Sequence, residues 1–196
     1  MITGVGGQGN VLAAQVIAVS AVEAGYLVSS GETSGLAQRG GPVMTHVRVF
    51  CRQNYGPLVP HGRATVVIGF EPLETMRVLF DYGNRGTVVI SNDRPSYPLG
   101  CLQCEDSYPE VSLIKDGIKN MVQQSFFIPA TELAGQAGTP LAANMVMTGC
   151  LAGTGLMPFG KEFFRSTIDK LFPNNLKELN LKAFELGFDQ VFQQVV

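Results

Sequence analysis

Charge is scarce in this sequence. Only 15% of its 196 residues are Asp, Glu, Lys or Arg, against ~25% in an ordinary soluble domain. Either Gly, Ser, Asn and Gln make up the exterior, or part of the surface is covered by a partner, because charge is depleted at the centre of interfaces. The second reading is preferred. The formal net charge of −2 leaves no basic surface for nucleic acid. Uncharged apolar runs of about 18 residues are missing, so no membrane span is expected. So is a basic N-terminal segment with an apolar run and cleavage site, and nothing therefore points to secretion. Four cysteines are too few for a disulfide framework and suit a reducing, cytoplasmic setting. No stretch reads as a linker, and 45% hydrophobic residues suffice for a full core. Residues 1–196 are expected to form one domain.

The pattern along the chain alternates. Residues 11–24 read as a helix with Val11, Ala14, Ala18, Ala21 and Val22 near one face, stopped by Gly25. A short strand at 26–30 and a Gly-rich loop at 31–42 follow. Residues 43–50 carry β-branched side chains at every second position, as a strand does, and 51–63 read as a loop. The apolar runs 64–70 and 86–90 suit strands buried on both faces. Glu71 and Pro72 open a helix reaching about residue 82, with Pro where its missing N–H does no harm. After an irregular stretch at 92–108 come a helix at 110–122 and a strand at 125–129. The C-terminal third reads as helices at 131–138, 140–152, 160–171 and 175–192, the last two divided by Pro173, Asn174 and Asn175. Strands alternating with helices imply a three-layer α/β/α, Rossmann-like domain with a mostly parallel sheet.

Near the N-terminus, Gly4, Gly6 and Gly9 satisfy the pattern G-x-G-x-x-G, with Gly7 and Gln8 between them. Glycines permit a tight turn, and backbone N–H groups at the following helix face an anion. The same turn could merely pack helix against strand. Only three residues precede Gly4, whereas a buried strand of five or six is usual before such a turn. In a dinucleotide site an acid belongs about 20 residues further on, and Glu32 lies near that position. No second lobe remains for a substrate, and His46 and His61 are the only histidines. A stand-alone NAD-type enzyme or sensor is therefore the alternative reading.

A more specific pairing exists. The run Gly4-Val5-Gly6-Gly7-Gln8-Gly9 is followed by Gly35-Leu36-Ala37-Gln38-Arg39-Gly40-Gly41, and then by Val43, His46, Val47 and Arg48. Further on stand Pro140-Leu141-Ala142-Ala143-Asn144, and Leu176, Leu179, Asn180, Ala183, Phe184 and Gly187 at matching spacings. The set resembles the gamma-type domain of the 2-oxoacid:ferredoxin oxidoreductases, most of all the small subunit of the indolepyruvate type, from residue 4 to about 190. That resemblance implies a shared enzyme. Thiamine diphosphate decarboxylates a 2-oxoacid, iron–sulfur clusters pass electrons to ferredoxin, and coenzyme A takes the acyl group; cofactors carry that chemistry and protein supplies placement. In the indolepyruvate type, thiamine diphosphate and clusters belong to a large subunit. This chain has no four-cysteine ferredoxin run and no thiamine diphosphate signature, so it is expected to hold no cofactor and to be inactive alone.

The candidate binding set is Gly4, Gly6, Gly7, Gln8, Gly9, Ser34, Gln38, Arg39, Gly40, Gly41 and Asn144, expected to form a cleft over the partner's active site that contacts coenzyme A phosphates or helps close it. Arg39, flanked by glycines, suits a phosphate or carboxylate because guanidinium is a planar fork of donors; it would equally suit a subunit contact. Ser34 and Thr33 could add hydroxyls. Asn144, polar among Ala142, Ala143, Met145, Val146 and Met147, either ties its helix to the glycine-rich loop or meets a ligand. His46 and Arg48 share a strand face with Met44 and Phe50, and a hydrogen-bonded strand histidine at an interface is preferred to a catalytic one. Cys101 and Cys104 have the spacing of a redox dithiol or half a zinc site, but neither Cys51 nor Cys150 supplies the other half. They read as free thiols. No catalytic residue and no metal ligand is assigned.

Overall fold

The structure is a computed structural model that describes residues 1–34, 41–53, 55–96 and 108–195. Six strands form one sheet: β1 (Ile2–Val5), β2 (Leu27–Ser34), β3 (Pro42–Phe50), β4 (Val66–Gly69), β5 (Val88–Asn92) and β6 (Gln124–Ile128). Their order is β2-β3-β1-β4-β5-β6. Strands β1, β4, β5 and β6 are parallel to one another, while β3 runs antiparallel to both β1 and β2. The expected three-layer, mostly parallel arrangement is borne out, with β3 as the reversed strand.

The helices are α1 (Asn10–Glu23), α2 (Pro72–Tyr82), α3 (Val111–Met121), α4 (Ala130–Ala137), α5 (Ala143–Gly153), α6 (Lys161–Leu171) and α7 (Asn174–Val195), with a 3₁₀ turn at Pro140–Ala142 before α5. Alternation of side chains along the parallel strands divides the core in two. Ile68, Ile90, Phe126 and Ile128 meet α1 and α4–α7 on one face. Val67 and Val89 meet Val78 and Leu79 of α2 and Ile114 and Ile118 of α3 on the other.

Three expectations change. The strand before the glycine turn is four residues long, because it includes Gly4 and Val5 and is fully buried. The glycine-rich loop is shorter than expected: Gly31 to Ser34 continue β2, and Pro42 already pairs in β3. On α1, Val11 and Val22 are exposed, and the buried face is Asn10, Ala13, Ala14, Val16, Ile17, Ser20 and Ala21. Small apolar residues surround this helix, so periodicity alone chose a face rotated from the real one.

Helices α5 and α7 approach through their main chains. A Cβ on Gly149 would collide with the Phe184 carbonyl, one on Gly187 with the Val146 carbonyl, and one on Gly153 would stand 2.6 Å from the Phe188 carbonyl. Backbone cannot yield as a side chain can. Overpacking of this kind costs about 1–3 kcal/mol, and Gly149→Ala and Gly187→Ala are each expected to lose that much in urea-melt stability. A loss within error of zero would mean that the helices separate freely.

Candidate functional site

The glycine turn leaves the C-terminal end of β1, where open α/β sheets bind ligands. Much of its donor capacity is used internally. The Val5 N–H donates to Gln8 Oε1 at 2.7 Å, and Gln8 Nε2 donates to the Phe70 carbonyl at 3.4 Å. Gln8 thus folds back and bridges the ends of β1 and β4. The Gln8 N–H returns to the Val5 carbonyl at 3.2 Å, closing the turn, and the Gly6 N–H donates to the Gly41 carbonyl at 2.9 Å. That last bond joins the turn to the start of β3.

Gly9 caps α1 with φ +86°, a left-handed conformation that favours glycine. A Cβ there would stand 2.5 Å from Asn144 Nδ2. Asn144, 5% exposed, accepts from the Met145 N–H at 2.9 Å and packs under the turn. Of the two roles open for it, the structural tie is the one this packing supports, and it reaches the Gly4–Gly9 turn. The start of α1 remains available. It has no side-chain cap and no acidic residue in its first turn, so its first N–H groups and the positive end of its dipole suit an anion. Gly7 is exposed.

The structure therefore brings Gly4, Gly6, Gly7, Gln8, Gly9, Gly41 and Asn144 together. Ser34 ends β2 opposite Val43. Gln38, Arg39, Gly40, Cys101 and Cys104 lie outside the described residues. Glu32 is not beside the turn: it pairs with Thr45 on the far side of β3, two strand spacings or about 10 Å from β1. The reversed β3 occupies the place where a dinucleotide site puts its second strand.

Two carboxylates not singled out from the sequence lie next to this edge. Phe70, whose carbonyl also accepts from Asn92 Nδ2 at 3.2 Å, is followed by Glu71, fully buried as the N-cap of α2. Its side chain accepts from the Glu74 N–H and from the Tyr108 hydroxyl, the latter at 2.8 Å. Glu74, 3% exposed, accepts from Arg77 at 2.5 Å. Burial raises the Glu74 pKa; Arg77 opposes that rise and the nearby Glu71 charge adds to it. The signal was present in Glu71-Pro72-Leu73-Glu74, where a cap and the third helical residue are both acidic.

His46 is buried; its Nδ1 accepts from the Val59 N–H at 3.0 Å and its ring meets Tyr82 edge-on at 5.3 Å. It holds the loop over β3, as does Arg48, which donates to the carbonyls of Gly56 at 2.6 Å and Leu58 at 3.2 Å. The expected hydrogen bond is present, but His46 lies in the interior of this chain and not at its surface, where an interface was expected. Cys51 is exposed, and burial pushes the Cys150 thiol pKa far up.

Comparison with known proteins decides the family. Residues 1–190 match pyruvate ferredoxin/flavodoxin oxidoreductase. The chain belongs to that family. Within the family, the chain is 37% identical over 190 residues to an indolepyruvate oxidoreductase subunit IorB from Archaeoglobus fulgidus, covering 97% of this chain and 93% of that one. The gamma subunit of a keto/oxoacid ferredoxin oxidoreductase from Geobacter sulfurreducens has the same fold, with a TM-score of 0.68, 20% identity, and coverage of 98% of this chain and 96% of that one. So has part of the 2-oxoglutarate:ferredoxin oxidoreductase from Magnetococcus marinus, with a TM-score of 0.72 and 22% identity; 97% of this chain matches 30% of that longer one. Among the described residues no group of three or more His, Cys, Asp or Glu side chains could hold a metal ion, and no helix is long and apolar enough to cross a membrane.

Two outcomes test this geometry. Gln8→Ala leaves the buried Val5 N–H unpaired, and a loss of about 1–3 kcal/mol is expected in chemical denaturation. Burial, and secondarily the Met1 amino group, lower the His46 pKa. The unfolded chain then binds the proton more tightly, so stability is lost as pH falls below the ordinary histidine value of about 6.5. Urea melts at pH 7.5 and 5.5 should show a larger drop for the wild type than for His46→Asn, which keeps an acceptor that does not titrate; equal drops would remove His46 as the cause.

Proposed function

We propose that this chain is the small, cluster-free subunit of a thiamine diphosphate-dependent 2-oxoacid:ferredoxin oxidoreductase of the indolepyruvate type, inactive alone. The observation that carries the reading is the end-to-end match to the IorB subunit of Archaeoglobus fulgidus. Similarity confined to a phosphate-binding turn would not extend across the C-terminal helices of both chains. The whole chain works as one gamma-type domain in the cytoplasm, docked on a large subunit that carries thiamine diphosphate and iron–sulfur clusters and delivers electrons to ferredoxin. Bound there, thiamine diphosphate supplies the decarboxylation of an arylpyruvate, and the acyl group leaves on coenzyme A.

This chain's contribution is at the glycine edge. The uncapped first turn of α1 offers N–H donors to phosphate oxygens of coenzyme A, with Gly4, Gly6, Gly7 and Gly9 keeping the approach free of side chains. Gln8 and Asn144 hold the turn in position, Gly41 anchors its neighbour, and Ser34, Gln38, Arg39 and Gly40 complete the donor set. The Magnetococcus marinus enzyme was solved with 2-oxoglutarate, coenzyme A and succinyl-CoA bound, which makes coenzyme A the first ligand to test. The stand-alone NAD-type alternative loses support from the position of Glu32 on the far side of β3.

Co-expression with the candidate large subunit tests the assignment. Arylpyruvate- and coenzyme A-dependent reduction of ferredoxin is expected only when both chains are present. Arg39→Ala in that complex is expected to raise the coenzyme A KM about tenfold, with assembly intact, the loss appropriate to one charge-assisted pair. Full activity of the large subunit alone would overturn the subunit role; an unchanged KM would remove Arg39 from the ligand site.

A further inference from the structure

At the opposite end of the sheet from the glycine turn lies a cavity of about 540 Å³. It opens where β1 and β4 begin and β3 ends. Ile17 of α1, Val47 of β3, Ile68 of β4 and Leu151 of α5 supply apolar walls. The loop carrying Val59 and Pro60 forms another, held in place by Arg48 and His46 through the bonds described above. The volume falls within the range of about 300–1,000 Å³ typical of small-molecule sites.

Its polar lining has one sign. Arg48 and Arg63 line the cavity, and among the described residues no Asp or Glu does, although acidic residues outnumber basic ones in the chain by 16 to 14. Arg48 is engaged with the Gly56 and Leu58 carbonyls. Arg63 is exposed, and its guanidinium makes no hydrogen bond or ion pair among the described residues. Some basic side chains elsewhere are paired, Lys161 and Arg165 with Glu185, Lys170 with Glu23 and Lys177 with Asp169, while Arg52 and Lys182, like Arg63, make no hydrogen bond or ion pair among the described residues; what sets Arg63 apart is its place on the cavity. An unpaired guanidinium at the mouth of an apolar chamber presents two parallel donors to a carboxylate while the chamber takes the attached body.

We propose that this cavity binds a monocarboxylate with a bulky apolar body, an aryl or medium-chain alkyl acid, with Arg63 on the carboxylate and the body between Ile17, Val47, Ile68 and Leu151. The site lies away from the glycine edge and does not depend on the function proposed above.

Isothermal titration of the full chain with decanoate and with 1-naphthylacetate tests it, 1-naphthylacetamide serving as the uncharged control. The expected result is one saturable site per chain for at least one acid, with the amide binding at least about tenfold more weakly, the loss of a charge-assisted pair. Arg63→Gln, on an exposed position, is expected to weaken the acid about tenfold and leave the amide unchanged. Val49→Phe, which narrows the cavity, should abolish both; if it fails to fold, Thr65→Tyr at the exposed rim replaces it. The proposal is overturned if neither acid saturates by about 1 mM, the weak end of specific affinity. It is equally overturned if Arg63→Gln binds the acid as the wild type does, or if the narrowed variant retains full affinity.

Discussion

Helices α5 and α7 touch main chain to main chain, and the geometry of the candidate site follows from that contact. Gly149, Gly153 and Gly187 stand where a Cβ would strike the main chain of the facing helix. With α5 fixed at that depth, Asn144 in its first turn stands directly under Gly9. Gly9, which is left-handed, must then also be free of a side chain. Gln8, one residue earlier, is pulled inward to bridge Val5 and Phe70. A packing requirement in the C-terminal third thereby decides how the N-terminal turn presents its remaining donors.

Features governed by local sequence could be read without coordinates. The apolar runs of β4 and β5, the Glu71-Pro72 helix start and the division at Pro173 all depend on neighbours within a few residues, and each stands within two residues of its expected place at the relevant boundary. Strand order could not be read this way. Nothing near Glu32 announces that β3 turns back and lies between β2 and β1, because that arrangement is fixed by pairing across 40 residues. The glycine pattern was legible as a turn, but the fate of Gln8 was not: the position between the glycines carries no fixed side chain, and only the facing Phe70 carbonyl gives this one a partner. Asn144 was noticed as a polar residue among apolar ones. Its contact, 135 positions away from it in the chain, required the fold.

The scarcity of charge is sharper in three dimensions than in composition. Two of the acidic residues, Glu71 and Glu74, are buried and held by a cap, a tyrosine and Arg77. Several cations on α6 and α7 are spent on exposed or half-exposed ion pairs, each worth about 0–1 kcal/mol. Meanwhile Leu141 is 85% exposed, Phe80 77% and Leu113 65%. Large apolar side chains in solvent are what a subunit surface would carry, in keeping with relatives that are named as oxidoreductase subunits.

Strand β1, inside the sheet, precedes in sequence both strands that pair with it. Gly9, just after β1, packs against Asn144, so this segment meets its last neighbour only when 135 further residues have been made (144 − 9). Long-range pairing of this kind is slow and leaves strand edges uncovered while it waits. The nascent glycine turn therefore waits for its packing partner until α5 has been made.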